Sequence, residues 1–84
     1  MNIKPAIGQL GNKIRELREA KGLSQREFAE KMDYSTDMIS NWERGKNIPS
    51  KSSIDRIADT LECSLKEHEN LVAVRVTDIL KKKG

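Results

Sequence analysis

At 84 residues the chain has room for one domain, close to the size at which a single hydrophobic core is only just sufficient. Hydrophobic residues make up 36% and aromatics 4%, so the core must be aliphatic, and no apolar run approaches the ~18 residues of a membrane span. The net charge of +3 permits an anionic partner without requiring one, and Cys63, the only cysteine, excludes an internal disulfide and a CxxC metal site.

Residues 1–9 read as a flexible lead-in, because Pro5 and Gly8 oppose an early helix. They also lack the apolar stretch of a secretory leader, and a cytoplasmic protein is the expectation. From Leu10 the pattern is helical: Leu10, Ile14 and Leu17 share one face, and Gly22 stands where the helix should stop. Ser24-Gln25-Arg26-Glu27 has the form of a capping box and opens a second helix, with Phe28, Ala29 and Met32 as its inner stripe. Asp33-Tyr34 is the turn, since aspartate tolerates the left-handed region better than most residues.

Ser35 is a good N-cap for a third helix. At about 100° per residue, Ser35, Ile39, Trp42 and Glu43 fall on or near one side, and Asp37, Ser40, Asn41 and Arg44 on the other. The first set carries the large hydrophobes and faces the core; the second is wholly polar. Gly45 ends this helix. Lys46-Asn47-Ile48-Pro49 is a loop, and Ser50 caps a fourth helix that buries Ile54, Ile57, Ala58 and Leu61. Ser64-Leu65-Lys66-Glu67 is a second capping-box pattern and opens a fifth.

The tail allows two readings. Val72, Val76, Ile79 and Leu80 fit a helical stripe continuing from Leu65 and His68, with Leu71 and Val74 off it. Val72, Val74 and Val76 also alternate as a strand does, although no partner strand exists elsewhere. The helical reading leaves more apolar surface than one small core needs, which marks a partner surface. Its candidate interface residues are Leu71, Val72, Val76, Ile79 and Leu80. Cys63 and the single histidine, His68, read as packing residues; no ligand set for a metal, no cofactor site, no glycine-rich phosphate loop and no catalytic constellation is present.

The segments IRELREAKGLSQREFAEKM, STDMISNWERGKNIPS and IDRIADTLECSL carry a resemblance. Together, from Leu10 to Leu65, they resemble the lambda-repressor-like helix-turn-helix family, the Cro and phage-repressor type of xenobiotic-response-element-like regulators. The resemblance implies an all-α fold: a compact five-helix DNA-binding domain over 10–68, with the helix-turn-helix motif at 25–44 and its recognition helix at 35–44. Beyond the resemblance, residues 69–84 are expected to be a C-terminal helical tail and are the candidate dimerisation segment. The resemblance also implies roles for single residues. Thr36, Asp37 and Asn41 match base-reading positions, with Ser40 beside them. Gln25, Arg44, Lys46 and Asn47 match phosphate-contacting ones, and Arg18 and Glu43 match a structural ion pair. Asn41 can pair with adenine through N6 and N7, and Asp37 can accept from the cytosine N4 amine. The family commonly has glycine where this chain has Asp33 and Glu62. The implied function is a sequence-specific regulator, a repressor that binds a palindromic operator on double-stranded DNA as a homodimer. The alternative is an antitoxin or similar module whose tail holds a protein partner such as a toxin. An enzyme is not expected, and neither is a small-molecule ligand.

Overall fold

The computed structural model describes residues 9–83; of the lead-in expected at 1–9, residues 1–8 lie outside the described residues and Gln9 already belongs to the first helix. Its elements are α1 (Gln9–Ala20), α2 (Gln25–Met32), α3 (Thr36–Glu43), α4 (Lys51–Thr60) and α5 (Leu65–Lys83), with no strand among the described residues. The helix starts follow local chemistry. Ser24 Oγ accepts from the Glu27 amide at 3.0 Å while the Glu27 carboxylate accepts from the Ser24 amide at 2.8 Å. The Ser24 backbone amide, and after it the Ser24 hydroxyl, hold the Glu27 carboxyl below its ordinary range. Ser64 and Glu67 repeat the box at 3.1 and 2.9 Å. Ser35 and Ser50 cap α3 and α4 by accepting from Met38 and Ser53.

The turns are left-handed where expected. Asp33 sits at φ 60° and Glu62 at φ 55°, so both positions keep the backbone conformation that a glycine would supply. The departures at these positions therefore alter the side chain and not the path of the chain.

α3 packs against α1 and α2, α2 rests on α4, and α5 spans α1 and α4. Leu10 and Ile14 of α1, Phe28 and Met32 of α2, Ile39 and Trp42 of α3, and Ile54, Ile57 and Leu61 meet in one core. Each such side chain contributes about 1.5–3 kcal/mol by leaving water. α1 lies so close to α3 that a Cβ on Gly11 would stand 2.3 Å from the Trp42 carbonyl oxygen.

The tail is helical to Lys83, and its phase differs from the expected one. Leu71 is 0% exposed and belongs to the core, so it has no surface to offer a partner and is not an interface residue. The inner face of α5 runs through Leu71, the partly buried Val74 and Arg75, and the buried Asp78. Two of those residues are charged, and a reading by hydrophobicity alone turns them outward. Asp78 Oδ2 accepts from the Leu10 amide at 2.9 Å, satisfying one of the free donors at the start of α1. The stripe Leu65, Val72, Val76, Ile79 and Leu80 lies on a flank beside that face. Val72 and Ile79 are half-buried along its inner edge, while Leu65, Val76 and Leu80 are 75%, 47% and 65% exposed.

Candidate nucleic-acid interface

The placement of α3 begins with what it buries. Ile39 is fully enclosed, and Trp42 meets the Tyr34 ring edge-on at 5.4 Å between centroids. Tyr34 is held in turn: its hydroxyl is 3.1 Å from Ser53 Oγ, and the Arg56 guanidinium lies 5.4 Å over its ring. Trp42 is thus a core residue, not a stacking platform for a base.

Glu43 closes the buried side. Its carboxylate receives Arg18 Nε at 2.7 Å and Arg18 Nη2 at 3.1 Å, a two-pronged pair with side chains 9% and 3% exposed. Arg18 Nη1 also donates to the Leu23 carbonyl at 2.6 Å. The Glu43 hydrogen bonds outweigh burial and hold the guanidinium more firmly protonated than usual. Gln25 Nε2 donates to Glu43 as well, at 3.0 Å. The Gln25 side chain therefore joins the Arg18–Glu43 pair. Its second N–H and the free amides at the start of α2 are what remain for a phosphate.

With that side anchored, the opposite side of α3 faces outward. Thr36, Asp37 and Met38 are exposed in its first turn, and Ser40 and Asn41 are half-exposed one turn on. Asn41 Oδ1 accepts from Arg44 Nη2 at 3.2 Å, which leaves the amide N–H groups available to an acceptor. Lys46 and Asn47 extend the same edge. Both are exposed, and both direct their backbone amides back to the Asn41 carbonyl, at 2.9 and 3.4 Å. Polar side chains suited to base edges thus stand together on one helix, with a cationic and an amide side chain on the loop behind it.

The profile of the helix-turn-helix family HTH_3 matches residues 14–68. The chain belongs to this helix-turn-helix family. The same matched span holds the anchored pair, the turn and the exposed face of α3 just described. Curated relatives of this helix-turn-helix chain are transcriptional regulators. It is 37% identical over 57 residues to the uncharacterized HTH-type transcriptional regulator YazB of Bacillus subtilis, covering 68% of this chain and 83% of YazB. It is 30% identical over 73 residues to the HTH-type transcriptional activator BcrR of Enterococcus faecalis. That match covers 83% of this chain but 36% of BcrR, so this chain spans about a third of the activator's length. Among solved structures it resembles the restriction-modification controller protein C.AhdI of Aeromonas hydrophila. The TM-score is 0.68 at 32% identity, over 74% of this chain and 94% of the controller. The lambda-repressor-like fold is therefore the one this sequence adopts, and the family function is DNA-binding transcriptional regulation.

The single histidine and the single cysteine both have structural settings. His68 Nε2 lies 2.7 Å from Asp55 Oδ1 and ties α5 to α4; that bond, with Lys51 adding to it, holds the Asp55 carboxyl below its ordinary value. Burial pushes the Cys63 thiol up, away from the reactive thiolate. Among the described residues, no group of three or more His, Cys, Asp and Glu converges as a metal site requires, and no helix is long and apolar enough to cross a membrane.

Sequence reasoning missed Gly11, Arg75 and Asp78. The one local signal was at Arg75, a single cation in the apolar run LVAVRV.

Proposed function

We propose that this chain is a cytoplasmic transcriptional repressor that binds a roughly palindromic operator as a homodimer, with α3 in the major groove of each half-site. The observation that carries the reading is the division of α3: Ile39, Trp42 and Glu43 are buried, and Thr36, Asp37, Ser40 and Asn41 are turned to solvent. One helix of this length reads only a few base pairs, so useful specificity needs two copies about one helical turn apart. The flank of α5 formed by Val72, Val76, Ile79 and Leu80 is the surface that brings them together. Arg44, Lys46 and Asn47, with the start of α2 at Gln25, take the phosphates.

Selection of bound sites from random duplexes tests the reading directly. Two inverted half-sites with centres about 10 base pairs apart are expected; a pool that shows no enrichment refutes sequence-specific binding. The sign of regulation is read separately, from a promoter–reporter fusion carrying the selected site, where loss of the protein should raise expression.

Two substitutions should separate readout from anchoring. Asn41→Ala is expected to cost roughly 1–3 kcal/mol on the selected site and little on random DNA. Lys46→Ala should weaken both and flatten the salt dependence by about one unit. Titrations of both variants on both duplexes at several salt concentrations check this, and equal losses for Asn41→Ala would make it a backbone contact.

Val76→Asp places a charge on the exposed flank and should give a folded monomer with sharply reduced operator affinity, measured by sedimentation and by titration. The antitoxin reading assigns the same flank to a toxin. It predicts that the chain alone sediments as a monomer even without this substitution.

A further inference from the structure

The loop between α3 and α4 carries Lys46 and Asn47 on an exposed edge, and it is short of backbone hydrogen bonds. Pro49 has no N–H to give. At its front end the loop is held by the Asn41 carbonyl, which accepts from the Lys46 and Asn47 amides. At its back end the Pro49 carbonyl accepts from Arg75 Nε at 2.7 Å, a bond made across 26 positions of sequence by the tail helix. A charged donor on a carbonyl at this distance is among the stronger hydrogen bonds a protein makes.

One turn further along α5, Asp78 takes the Leu10 amide. The residue after Leu10 is Gly11, whose Cα rests against the Trp42 and Glu43 carbonyls at the end of α3. Arg75 and Asp78 thus reach the C-terminal end of the recognition helix from two sides. Arg75 works through the loop that follows α3, and Asp78 through the start of α1.

We propose that Arg75 is a positioning residue for DNA binding: its bond to the Pro49 carbonyl sets the Lys46–Asn47 segment at the height of the phosphate backbone. The tail helix then has two separate tasks on two faces. The Val76 flank brings protomers together, and the Arg75 face supports the phosphate-contacting edge within each protomer.

The inference rests on the DNA-binding reading above, and its test separates the two. Arg75→Met keeps the aliphatic stem and removes the donors; Arg75→Lys keeps a charged donor group in place of the planar fork. α5 retains Leu71, the His68–Asp55 bond and Asp78 in both, so both should fold and dimerise as the parent does. In the free protein, hydrogen exchange at the Lys46 and Asn47 amides, which donate to the Asn41 carbonyl, should quicken about tenfold in Arg75→Met, with exchange in the α1 and α2 interiors unchanged. On a duplex, Arg75→Met should weaken binding about fivefold on specific and random DNA alike, and Arg75→Lys should recover most of that loss.

A cycle with Lys46→Ala gives the decisive reading. If Arg75 acts through the loop, the double variant loses clearly less than the product of the two single losses. Losses that multiply mean that Arg75 meets DNA independently, and the proposal fails. It also fails if Arg75→Met exchanges and binds like the parent, or if it loses protection throughout the chain, which would make Arg75 a general stability residue. A parent protein that binds no duplex refutes the DNA reading alone, because the exchange experiment still tests the tether.

Discussion

Replacing Glu43 with alanine should destabilise the fold by about 3–5 kcal/mol, the range for breaking a buried ion pair from one side. The loss comes less from the attraction removed than from what is left behind. Arg18 keeps a charge in a site 9% exposed, with only the Leu23 carbonyl and the exposed Glu19 carboxylate at 3.8 Å left as partners, and Gln25 loses its acceptor. A domain of this size has about 5–15 kcal/mol of stability in total. The midpoint of thermal unfolding should fall by roughly 15–30 °C, which calorimetry reads directly. Arg18→Met made together with Glu43→Leu should recover much of that loss, since an apolar pair of similar volume leaves no stranded charge. A double variant as unstable as Glu43→Ala would show that the pair stabilises through geometry that no apolar pair replaces. Operator binding offers a second readout. Glu43 lies on the buried side of α3, away from the exposed side chains proposed to read bases, so at a temperature where Glu43→Ala is folded its sequence preference should match the parent's.

The parts legible in the sequence are those decided within four or five residues. The serine caps, the two Ser–Glu boxes and the left-handed Asp33 depend on neighbours along the chain, and each stands in the structure where its local chemistry puts it. The division of α3 was legible for the same reason, because Ile39 and Trp42 leave only one way to turn the helix. α5 was not. Its valines and leucines surround more of the helix than a single stripe, so hydrophobicity alone does not fix which side faces inward. The decision is made at long range, by an arginine that meets a loop carbonyl and an aspartate that meets a helix start. Polar residues that are buried because of distant backbone partners carry no periodic signal. Gln25 shows the same limit on a smaller scale: its position at the start of α2 is local information, but its bond to Glu43 spans 18 positions.

Gly11→Ala should likewise be severe, against the local rule. In an isolated helix the change would gain up to about 1 kcal/mol, because alanine is the better helix former. Here the added Cβ would stand 2.3 Å from the Trp42 carbonyl oxygen and 2.7 Å from that of Glu43. Those atoms are backbone at the end of α3 and cannot rotate aside as a side chain would, so α1 and α3 must separate. Overpacking of this kind costs about 1–3 kcal/mol and occasionally more. With rigid backbone on the other side the upper end applies, and a net loss of about 3 kcal/mol is expected. Separation also pulls on the contacts that hold α3 in place, because α1 carries Arg18 and the same end of α3 carries Glu43. Gly11→Ala should therefore weaken binding to the selected operator at temperatures where circular dichroism reports full helix content, through displacement of the Asn41–Asn47 edge relative to the start of α2. The comparison that isolates this is Gly11→Ala against a core variant of matched stability that leaves the α1–α3 approach intact, such as Ile57→Val in α4 with a second methyl deletion. Equal operator affinity in the two would mean that Gly11 matters only for folding. A selective loss in Gly11→Ala would show that the close approach of α1 is what holds α3 in the position that the proposed DNA binding requires.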